Sequence, residues 1–257
     1  MKPFVTPGTV AVVSGASSGI GRAIAVQLAT AGATVVGVAR REGRLVELVD
    51  ELGSHGHGGG YRVCDVSDVD AYVACVRSVA AEHGRIDVLV NAAASDQIVG
   101  ADLAAYRTVM ETNFFAPLAA MLTVLPGMRE RRRGAVVNIS SDDGRAPGPG
   151  PGDYPASKAA LSALTESMWF DARRHGVALH VLYPAFVPTA MAMGTVDRGE
   201  MALPPRMVRR TETQVARLVM KHLGSDRVVI NAARLTDAAP IAKALFPRLY
   251  TRARARF

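Results

Sequence analysis

Cysteine is scarce in this chain of 257 residues. Only Cys64 and Cys75 are present, and a separation of eleven residues fits neither a disulfide framework nor the usual spacing of metal ligands. Chains without disulfides are typical of reducing compartments. We therefore predict two reduced thiols, no metal site and a cytoplasmic protein.

Long hydrophobic runs are also lacking. No apolar run along the sequence approaches the roughly 18 to 20 residues that a membrane span needs. The opening stretch, MKPFVTPGTV, lacks the apolar core and small-residue cleavage site of a signal peptide. The sequence therefore predicts neither a membrane span nor an export signal.

Nucleic-acid recognition motifs are absent, although the chain is basic, with a net charge of +7. Trp169 is the only tryptophan, and Lys and Arg are scattered apart from two runs, at 129–134 and 247–257. We predict no nucleic-acid partner and interpret the runs as solvated faces or as charges that favour helix C-termini. An anionic substrate, an acidic carrier protein and a membrane surface remain alternatives.

The chain does have the apolar content for a sizeable core, at 49% hydrophobic residues. Its short apolar runs alternate with helical stretches, an order typical of parallel strands joined by right-handed crossovers. We predict an α/β fold with one domain over 1–257: a Rossmann-type doubly wound parallel sheet with helices on both faces. The predicted strands are 9–15, 34–40, 61–66, 86–93, 134–141, 177–185 and 227–233, and the predicted helices are 21–32, 42–53, 68–84, 105–131 and 154–175.

A glycine-rich loop, SGASSGIGR, follows the first predicted strand and opens the first predicted helix. Glycine allows a tight turn and close approach to a pyrophosphate, and the helix N-terminus offers free N–H groups. This context predicts a dinucleotide site, although a turn packed for its own sake is the alternative. The residues assigned to the site are Gly15, Ser17, Ser18, Gly19, Ile20 and Gly21.

The end of the second predicted strand bears on the choice of cofactor. An acidic side chain there is typical of NAD sites, whereas this sequence has Ala39 followed by Arg40 and Arg41. Two guanidinium groups could receive a 2′-phosphate. We therefore predict NADP(H) as the preferred cofactor and keep NAD(H) as the alternative, since both arginines could simply begin an exposed helix.

These motifs and several later ones resemble the short-chain dehydrogenase/reductase family, in its branch of about 250 residues. The resemblance covers residues 9 to 235 and follows the family order. It is carried by the glycine loop at 14–21, CDV at 64–66, NAAA at 91–94, ETNFF around Asn113, NISS ending at Ser141, YPASK at 154–158 and YPAFVPT at 183–189.

The resemblance implies four catalytic residues: Asn113, Ser141, Tyr154 and Lys158. Ser141 stands thirteen residues before Tyr154, and Lys158 four after it, which are the family distances. Tyr154 and Lys158, at i and i+4, share one helix face. The Pro-Gly run before Tyr154 is then an active-site loop rather than a hinge between domains.

These residue types also indicate a reaction. A free tyrosine titrates near pH 10, and the Lys158 ammonium is expected to lower the pKa of Tyr154. Tyr154 could then act as general acid or base towards a carbonyl or alcohol, with Ser141 donating to the oxygen where charge develops. The resemblance implies that Asn113 completes the set through a helix irregularity and a water.

Further cofactor contacts follow from the resemblance alone. It places adenine at Asp65 and Val66, and the ribose near Asn91, Ala92, Ala93, Tyr154 and Lys158. It places the nicotinamide near Pro184, Val187 and Thr189. The sequence departs from the family pattern where NAAA replaces NNAG and where Pro184-Ala185 replaces Pro-Gly, which questions the local backbone geometry there.

Two features of the sequence bear on the substrate. Asp142 and Asp143 either meet a polar or cationic substrate group or cap the turn at Gly144. A substrate lid is predicted over about 190–212, and its methionines either mould to an apolar ligand or pack on the sheet. We expect a fairly bulky, largely apolar ketone or secondary alcohol. The lid methionines are Met191, Met193, Met201 and Met207.

The predicted function is an NADPH-dependent carbonyl reductase or alcohol dehydrogenase that acts on a small molecule. The alternatives are a biosynthetic enzyme that couples redox chemistry to epimerisation or dehydration, and a non-catalytic cofactor-binding module. The resemblance also implies a homodimer or homotetramer assembled through the helices at 105–131 and 154–175. For the basic C-terminal tail, about 236–257, we favour solvation over a partner subunit, and a partner subunit over membrane contact.

Overall fold

A single parallel sheet of seven strands organises the computed structural model, which describes residues 3–54, 58–96, 102–199 and 201–254. The strand order across the sheet is β3-β2-β1-β4-β5-β6-β7, and every neighbouring pair is parallel. The strands are β1 (Val10–Ser14), β2 (Thr34–Ala39), β3 (Gly59–Val63), β4 (Val88–Asn91), β5 (Gly134–Ile139), β6 (Val177–Tyr183) and β7 (Val229–Asn231).

Helices cover both faces of this sheet. One face packs against the first, second and eighth helices, and the other against the third, fifth and sixth. The helices are α1 (Gly19–Thr30), α2 (Glu42–Ser54), α3 (Val69–His83), α4 (Leu103–Met110), α5 (Ala116–Glu130), α6 (Asp153–Arg174), α7 (Ala190–Asp197), α8 (Glu212–His222), α9 (Ala238–Leu245) and α10 (Pro247–Arg254).

The central strands are buried on both sides, which explains their continuous valine-rich sequences. In β1 every residue is buried, and successive valines contribute to opposite cores: Val13 packs with Ile24 and Leu48, whereas Val12 packs with Val76 and Met121. A strand buried on both faces is typical of sheets with helical crossovers. The structure therefore confirms the predicted doubly wound α/β fold.

The order in which successive strands are added to the sheet reverses at β1. From β1 the chain runs outwards to β2 and β3, and then returns to place β4 on the other side of β1. A crevice forms beyond the carboxyl ends of the strands at such a switch point, and ligands of open α/β sheets bind there. The loops after β1 and β4 are therefore the first place to look for a site.

The predicted helix over 105–131 is interrupted. A π-helical turn, Glu111–Phe115, separates α4 from α5, and the combined helical stretch runs from Leu103 to Glu130. Its most apolar window has a mean hydropathy of 1.3, so by length and composition it could cross a membrane, which the sequence interpretation missed. Half of that window is buried against the protein, and core helices of water-soluble proteins pass the same test.

Candidate active site

A cleft of about 610 Å³ opens at the switch point. The loop between β1 and α1 forms one wall and depends on glycine for its close contacts. A Cβ on Gly15 would lie 2.6 Å from the Ala93 nitrogen, and one on Gly21 would lie 2.5 Å from the Gly15 carbonyl oxygen. Only glycine fits at these two positions, and the N-terminus of α1 therefore lies directly against the cleft.

Arg41 ties this loop to the end of β2. Its Nη2 donates to Ser17 Oγ at 2.9 Å and to Ser18 Oγ at 2.8 Å. Arg40 extends into solvent, with its side chain 76% exposed, and pairs with Asp65 at 3.6 Å. The two guanidinium groups and the two hydroxyls form a polar, positively charged end of the cleft, with Asp65 as a partial counter-charge.

Most of the predicted cofactor residues line this one cleft. Asn91 does not: it is buried beside β5, where Nδ2 donates to Asn138 Oδ1 at 2.8 Å and Oδ1 accepts from the Tyr72 hydroxyl at 3.2 Å. Val187 is also buried and outside the lining. The predicted residues that line the cleft are Gly15, Ser17, Ser18, Gly19, Ile20, Gly21, Arg40, Arg41, Asp65, Val66, Ala92, Ala93, Tyr154, Lys158, Pro184 and Thr189.

The proline-rich loop brings Tyr154 back to the carboxyl end of β5. Ser141 follows β5 and caps a 3-10 turn, Asp142–Gly144, by accepting from the Asp143 N–H at 3.2 Å. A Cβ on Gly144 would lie 2.9 Å from the Ala159 nitrogen, so this turn packs tightly on α6. The loop therefore returns directly to the site that it left, and it does not connect two domains.

Tyr154 and Lys158 lie one turn apart on α6 and both face the cleft. Lys158 Nζ is 5.6 Å from the centre of the Tyr154 ring and donates to the Ile139 carbonyl at 2.9 Å. The Ser141 side chain acts on Tyr154 by favouring the ionised form of its hydroxyl, which lowers the pKa of Tyr154. Ser141 itself is not among the residues that line the cleft, whereas Ser140 is. Ser140 is also held by Lys158 O at 3.1 Å and Ser162 Oγ at 2.7 Å.

Burial is the largest influence on the ionisation of the pair. Burial, followed by the charge of Asp143, raises the pKa of Tyr154; Asp96 adds to the rise and the Ser141 hydrogen bond opposes it. Burial also lowers the pKa of Lys158 to about 8. In the chain by itself, burial and the neighbouring carboxylates set the pKa of Tyr154, and a lowering by Lys158 together with the oxidised nicotinamide stays a prediction.

Asn113 stands in the π-helical turn between α4 and α5, which is the predicted helix irregularity. Its side chain is fully buried and bridges two elements: Oδ1 accepts from Ser95 N–H at 2.9 Å, and Nδ2 donates to Ser95 O at 2.8 Å and to Ser157 Oγ at 3.0 Å. Ser157 in turn donates to the Tyr154 carbonyl. Asn113 therefore connects the loop after β4 to the α6 turn that carries Tyr154.

Arg145 is a site residue that the sequence interpretation missed. Its Nε donates to Asp142 Oδ1 at 3.1 Å, and its Nη1 donates to Asp237 Oδ1 at 2.7 Å. The guanidinium also lies 4.0 Å from the centre of the Tyr183 ring. Asp142 is thus engaged by an arginine of its own loop, so of the two interpretations of Asp142 the structure supports the turn. The spacing Asp142–Arg145 is the only sequence signal for this pair.

The two departures from the family pattern have different outcomes. Ala185 adopts φ = 60°, in the left-handed region that favours glycine, which is the residue usual at this position of the family. Ala94 lines the cleft beside Ala93. The backbone at 185 thus keeps a glycine-type conformation although the chain carries alanine there.

The predicted lid forms α7 and the turns that follow it, with Glu200 outside the described residues. Thr189 caps α7 by accepting from the Ala192 N–H, and Met191 lines the cleft. Arg198 pairs with Asp96 at 3.6 Å, which connects the end of α7 to the loop after β4. Met207 is 67% exposed, so it does not pack on the sheet.

Metal ligation has no support in the part of the chain that the structure describes. Among those residues, no three His, Cys, Asp or Glu side chains come together in an arrangement that could hold a metal ion. The cleft is therefore described by its glycine loop, its arginines and its Tyr–Lys pair.

Comparisons with known proteins agree with this geometry. The family model for short chain dehydrogenases matches residues 9–199. A short chain dehydrogenase of Pseudocercospora fijiensis is 39% identical over 72% of this chain, and the match spans 61% of that protein's length. The 3-oxoacyl-[acyl-carrier-protein] reductase FabG of Vibrio cholerae is 31% identical over 88% of each chain.

Solved structures show the same likeness. A metagenomic short-chain oxidoreductase in complex with NADP has a TM-score of 0.74 and 31% identity, covering 88% of this chain and 96% of its own. A short-chain dehydrogenase from Streptomyces avermitilis has a TM-score of 0.79 and 26% identity, covering 96% of both chains. From the family match, the relatives and the shared fold, this chain belongs to the short-chain dehydrogenase/reductase family of oxidoreductases.

Proposed function

We propose that the protein is an NADPH-dependent reductase of ketones or aldehydes, or the same enzyme working as a secondary alcohol dehydrogenase. One observation carries this proposal: a single cleft joins the glycine loop and its two arginines to the Tyr154–Lys158 pair. The name of the Vibrio cholerae relative, a 3-oxoacyl-[acyl-carrier-protein] reductase, supports carbonyl reduction as the reaction class.

The residues of the cleft fit a dinucleotide. Gly15 and Gly21 leave the backbone bare where a pyrophosphate would approach, and α1 begins there with its N–H groups. We assign Asp65 and Val66 to the adenine end, and Lys158, Pro184 and Thr189 to the nicotinamide end. When bound, the cofactor supplies the hydride.

The chain's own residues then supply the proton that the substrate oxygen takes up during reduction. We assign Tyr154 as the general acid for reduction, because it lines the cleft one helical turn from Lys158 and carries a hydroxyl that can give its proton to the substrate oxygen. We assign Ser141, which follows β5 and whose side chain acts on Tyr154, as the donor to the same substrate oxygen. Lys158 lies one helical turn after Tyr154 and is fixed by its hydrogen bond to the Ile139 carbonyl. Asn113 positions the first turn of α6 through Ser157.

The charged end of the cleft supports NADP(H) over NAD(H). Arg41 is within hydrogen-bond distance of both Ser17 and Ser18, and together the three side chains offer donors to a 2′-phosphate. Arg40 adds a second positive charge beside them. The NADP found in the metagenomic relative is consistent with this preference.

Thermal stabilisation by NADPH and by NADH, measured in parallel, tests the cofactor assignment. A ligand that binds the folded state raises its apparent stability by mass action. We expect NADPH to stabilise the protein at concentrations where NADH does little, and Arg41→Ala to remove most of that difference. Equal stabilisation by both would reject the 2′-phosphate site.

Replacing Tyr154 with Phe tests the reaction. We expect carbonyl reduction to fall by about 10²- to 10⁴-fold, the usual contribution of a general acid, with NADPH stabilisation retained. Tyr61→Phe is the matched control, because the Tyr61 hydroxyl bonds Glu42 and does not line the cleft. Turnover by the Tyr154 variant at the level of the control would remove Tyr154 as the acid.

The substrate and the assembly complete the proposal. Met191 in the cleft and the apolar lid favour a fairly bulky, largely apolar substrate. Apolar side chains stand exposed on α5 and α6, with Leu122 at 58% and Phe170 at 64%. We propose that these helices assemble a homo-oligomer, and that the protein works in the cytoplasm.

A further inference from the structure

The last two helices, α9 and α10, leave large apolar side chains in solvent. Ile241 is 57% exposed, Phe246 is 60%, and Leu245 and Leu249 are each 66% exposed. No residue of α9 is buried. Apolar surface of this kind is costly to hydrate, so a purely solvated segment, which we favoured from the sequence, does not account for it.

The same segment carries charge of one sign only. Residues 238–257 contain five basic residues and neither Asp nor Glu; Arg256 among them lies outside the described residues. Arg248 and Arg252 are four residues apart and lie on one side of α10, next to the exposed Leu249. A basic face beside an apolar face is the pattern of helices that lie in a membrane interface.

Two contacts attach the segment to the loop before Tyr154. The Tyr250 hydroxyl donates to Pro147 O at 2.8 Å, and Lys243 Nζ donates to Arg145 O at 3.5 Å. Both contacts are made by the polar end groups of long side chains, the Tyr250 hydroxyl and the Lys243 ammonium. The apolar side chains Leu245, Phe246 and Leu249 remain exposed beside them.

We propose that α9 and α10 form a docking surface for an anionic lipid bilayer. The exposed apolar side chains would enter the headgroup region, while Arg248 and Arg252 would contact lipid phosphates and carboxylates. A second copy of this chain is a poor occupant, because a two-fold contact through this surface would bring the basic faces of both copies together. The surface is independent of the reaction proposed above.

Co-sedimentation of the full chain with vesicles tests the proposal. We expect binding to vesicles of phosphatidylcholine containing about 30% phosphatidylserine, and much weaker binding to pure phosphatidylcholine, because the basic residues need anionic lipid. Binding should fall with salt as the charges are screened.

Two double variants separate charge from apolar contact. Arg248→Gln with Arg252→Gln should weaken binding to the anionic vesicles about thirtyfold, at roughly 1 kcal/mol per arginine. Leu245→Gln with Leu249→Gln should also weaken it while leaving the charge unchanged. The matched control is Val46→Gln with Arg77→Gln, which removes one exposed apolar and one exposed basic side chain from α2 and α3.

The outcomes are distinct. Loss of binding in both double variants, with the control unchanged, supports the docking surface. Equal binding by all variants places lipid contact elsewhere and overturns the proposal. If vesicles are not bound but soluble polyglutamate is, the face serves an acidic protein and the lipid assignment is wrong. Stabilisation by NADPH, measured on the same variants, reports the cofactor site separately.

Discussion

The amino group of Lys158 is enclosed by the chain, and burial lowers its pKa from the ordinary 10.5 to about 8. Between these two values the unfolded chain holds a proton that the folded chain has released. Lys158 should therefore make the free energy of unfolding rise with pH from about 8 towards 10, and the raised pKa of Cys75 opposes that rise above about pH 9. Above pH 10 the raised pKa of Tyr154 acts in the opposite direction, since the folded state then keeps the proton.

Urea unfolding of the cofactor-free protein at several pH values measures this dependence. In Lys158→Met the rise between pH 8 and 10 should disappear, because the titrating amino group is gone. Lys221→Met is the control, since Lys221 is exposed at the end of α8. A rise of unchanged size in Lys158→Met would mean that another group causes it.

Ala185 carries a conformational cost that its neighbours do not. A non-glycine residue in the left-handed region loses about 1 kcal/mol relative to glycine, partly offset by the greater freedom of glycine in the unfolded chain. Ala185→Gly should therefore raise the melting temperature slightly. Ala74→Gly, on an exposed helical turn of α3, should lower the free energy of unfolding by about 1 kcal/mol and so lower the melting temperature. Destabilisation of similar size in both variants would show that Ala185 is not strained.

At the scale of elements, Arg145 joins the turn after Ser141 to the turn before α9. It bonds Asp142 on one side and Asp237 on the other, and its side chain is only 17% exposed. Removing it leaves two carboxylates close together without their shared partner. We expect Arg145→Ala to lower the free energy of unfolding by about 2 kcal/mol.

The same change should also act on the reaction. The bonds of Arg145 to Asp142 and Asp237 could also fix the position of Ser141. In that case Arg145→Ala should lower kcat/KM for carbonyl reduction by about tenfold, mainly through kcat, because a small displacement at the reacting centre is costly. Arg145→Lys should recover part of the stability and activity, and Arg77→Ala should change neither. Full activity in Arg145→Ala would show that the bonds of Arg145 stabilise the fold and do not position Ser141.

Sequence and structure agree best on elements whose periodicity is simple. The valine-rich runs predict the strands, and the glycine loop predicts the cleft, because both depend on neighbouring residues. The π-helical turn at Asn113 was implied only by the family resemblance, because the apolar pattern of the flanking helices runs through it. The pairing of Arg145 with Asp237 joins residues 92 apart, and no local pattern indicates it.

Burial sets a second limit on what the sequence predicts. The opposite-charge argument for Tyr154 and Lys158 is sound in water, but Lys158 is buried and Tyr154 is partly buried, and desolvation is the largest influence on both pKa values. Asn91 illustrates the same point, because its amide turns into the sheet towards Asn138 and away from the cleft. Such choices depend on packing between strands that only the folded structure reveals.

At the scale of the whole molecule, the exposed apolar side chains fall into separate groups. Leu122 lies on α5 and Phe170 on α6, and these two helices pack against each other. Phe115, at the end of the π-helical turn before α5, has a side chain that is 43% exposed. These three side chains are all apolar, whereas the exposed Leu249 on α10 stands beside the basic Arg248 and Arg252. This group is therefore suited to an apolar contact between identical subunits, in which each copy presents the same surface.

Introducing a charge on each helix tests that contact. Leu122→Asp with Phe170→Asp should convert the proposed oligomer to a monomer, because two carboxylates per subunit would be buried without partners at the interface. Light scattering after size-exclusion chromatography measures the mass, and Val46→Asp on α2 is the control for an added surface charge. NADPH stabilisation should persist in the monomer, since the cleft is built within one chain. An unchanged mass in the double variant would place any subunit contact on another face.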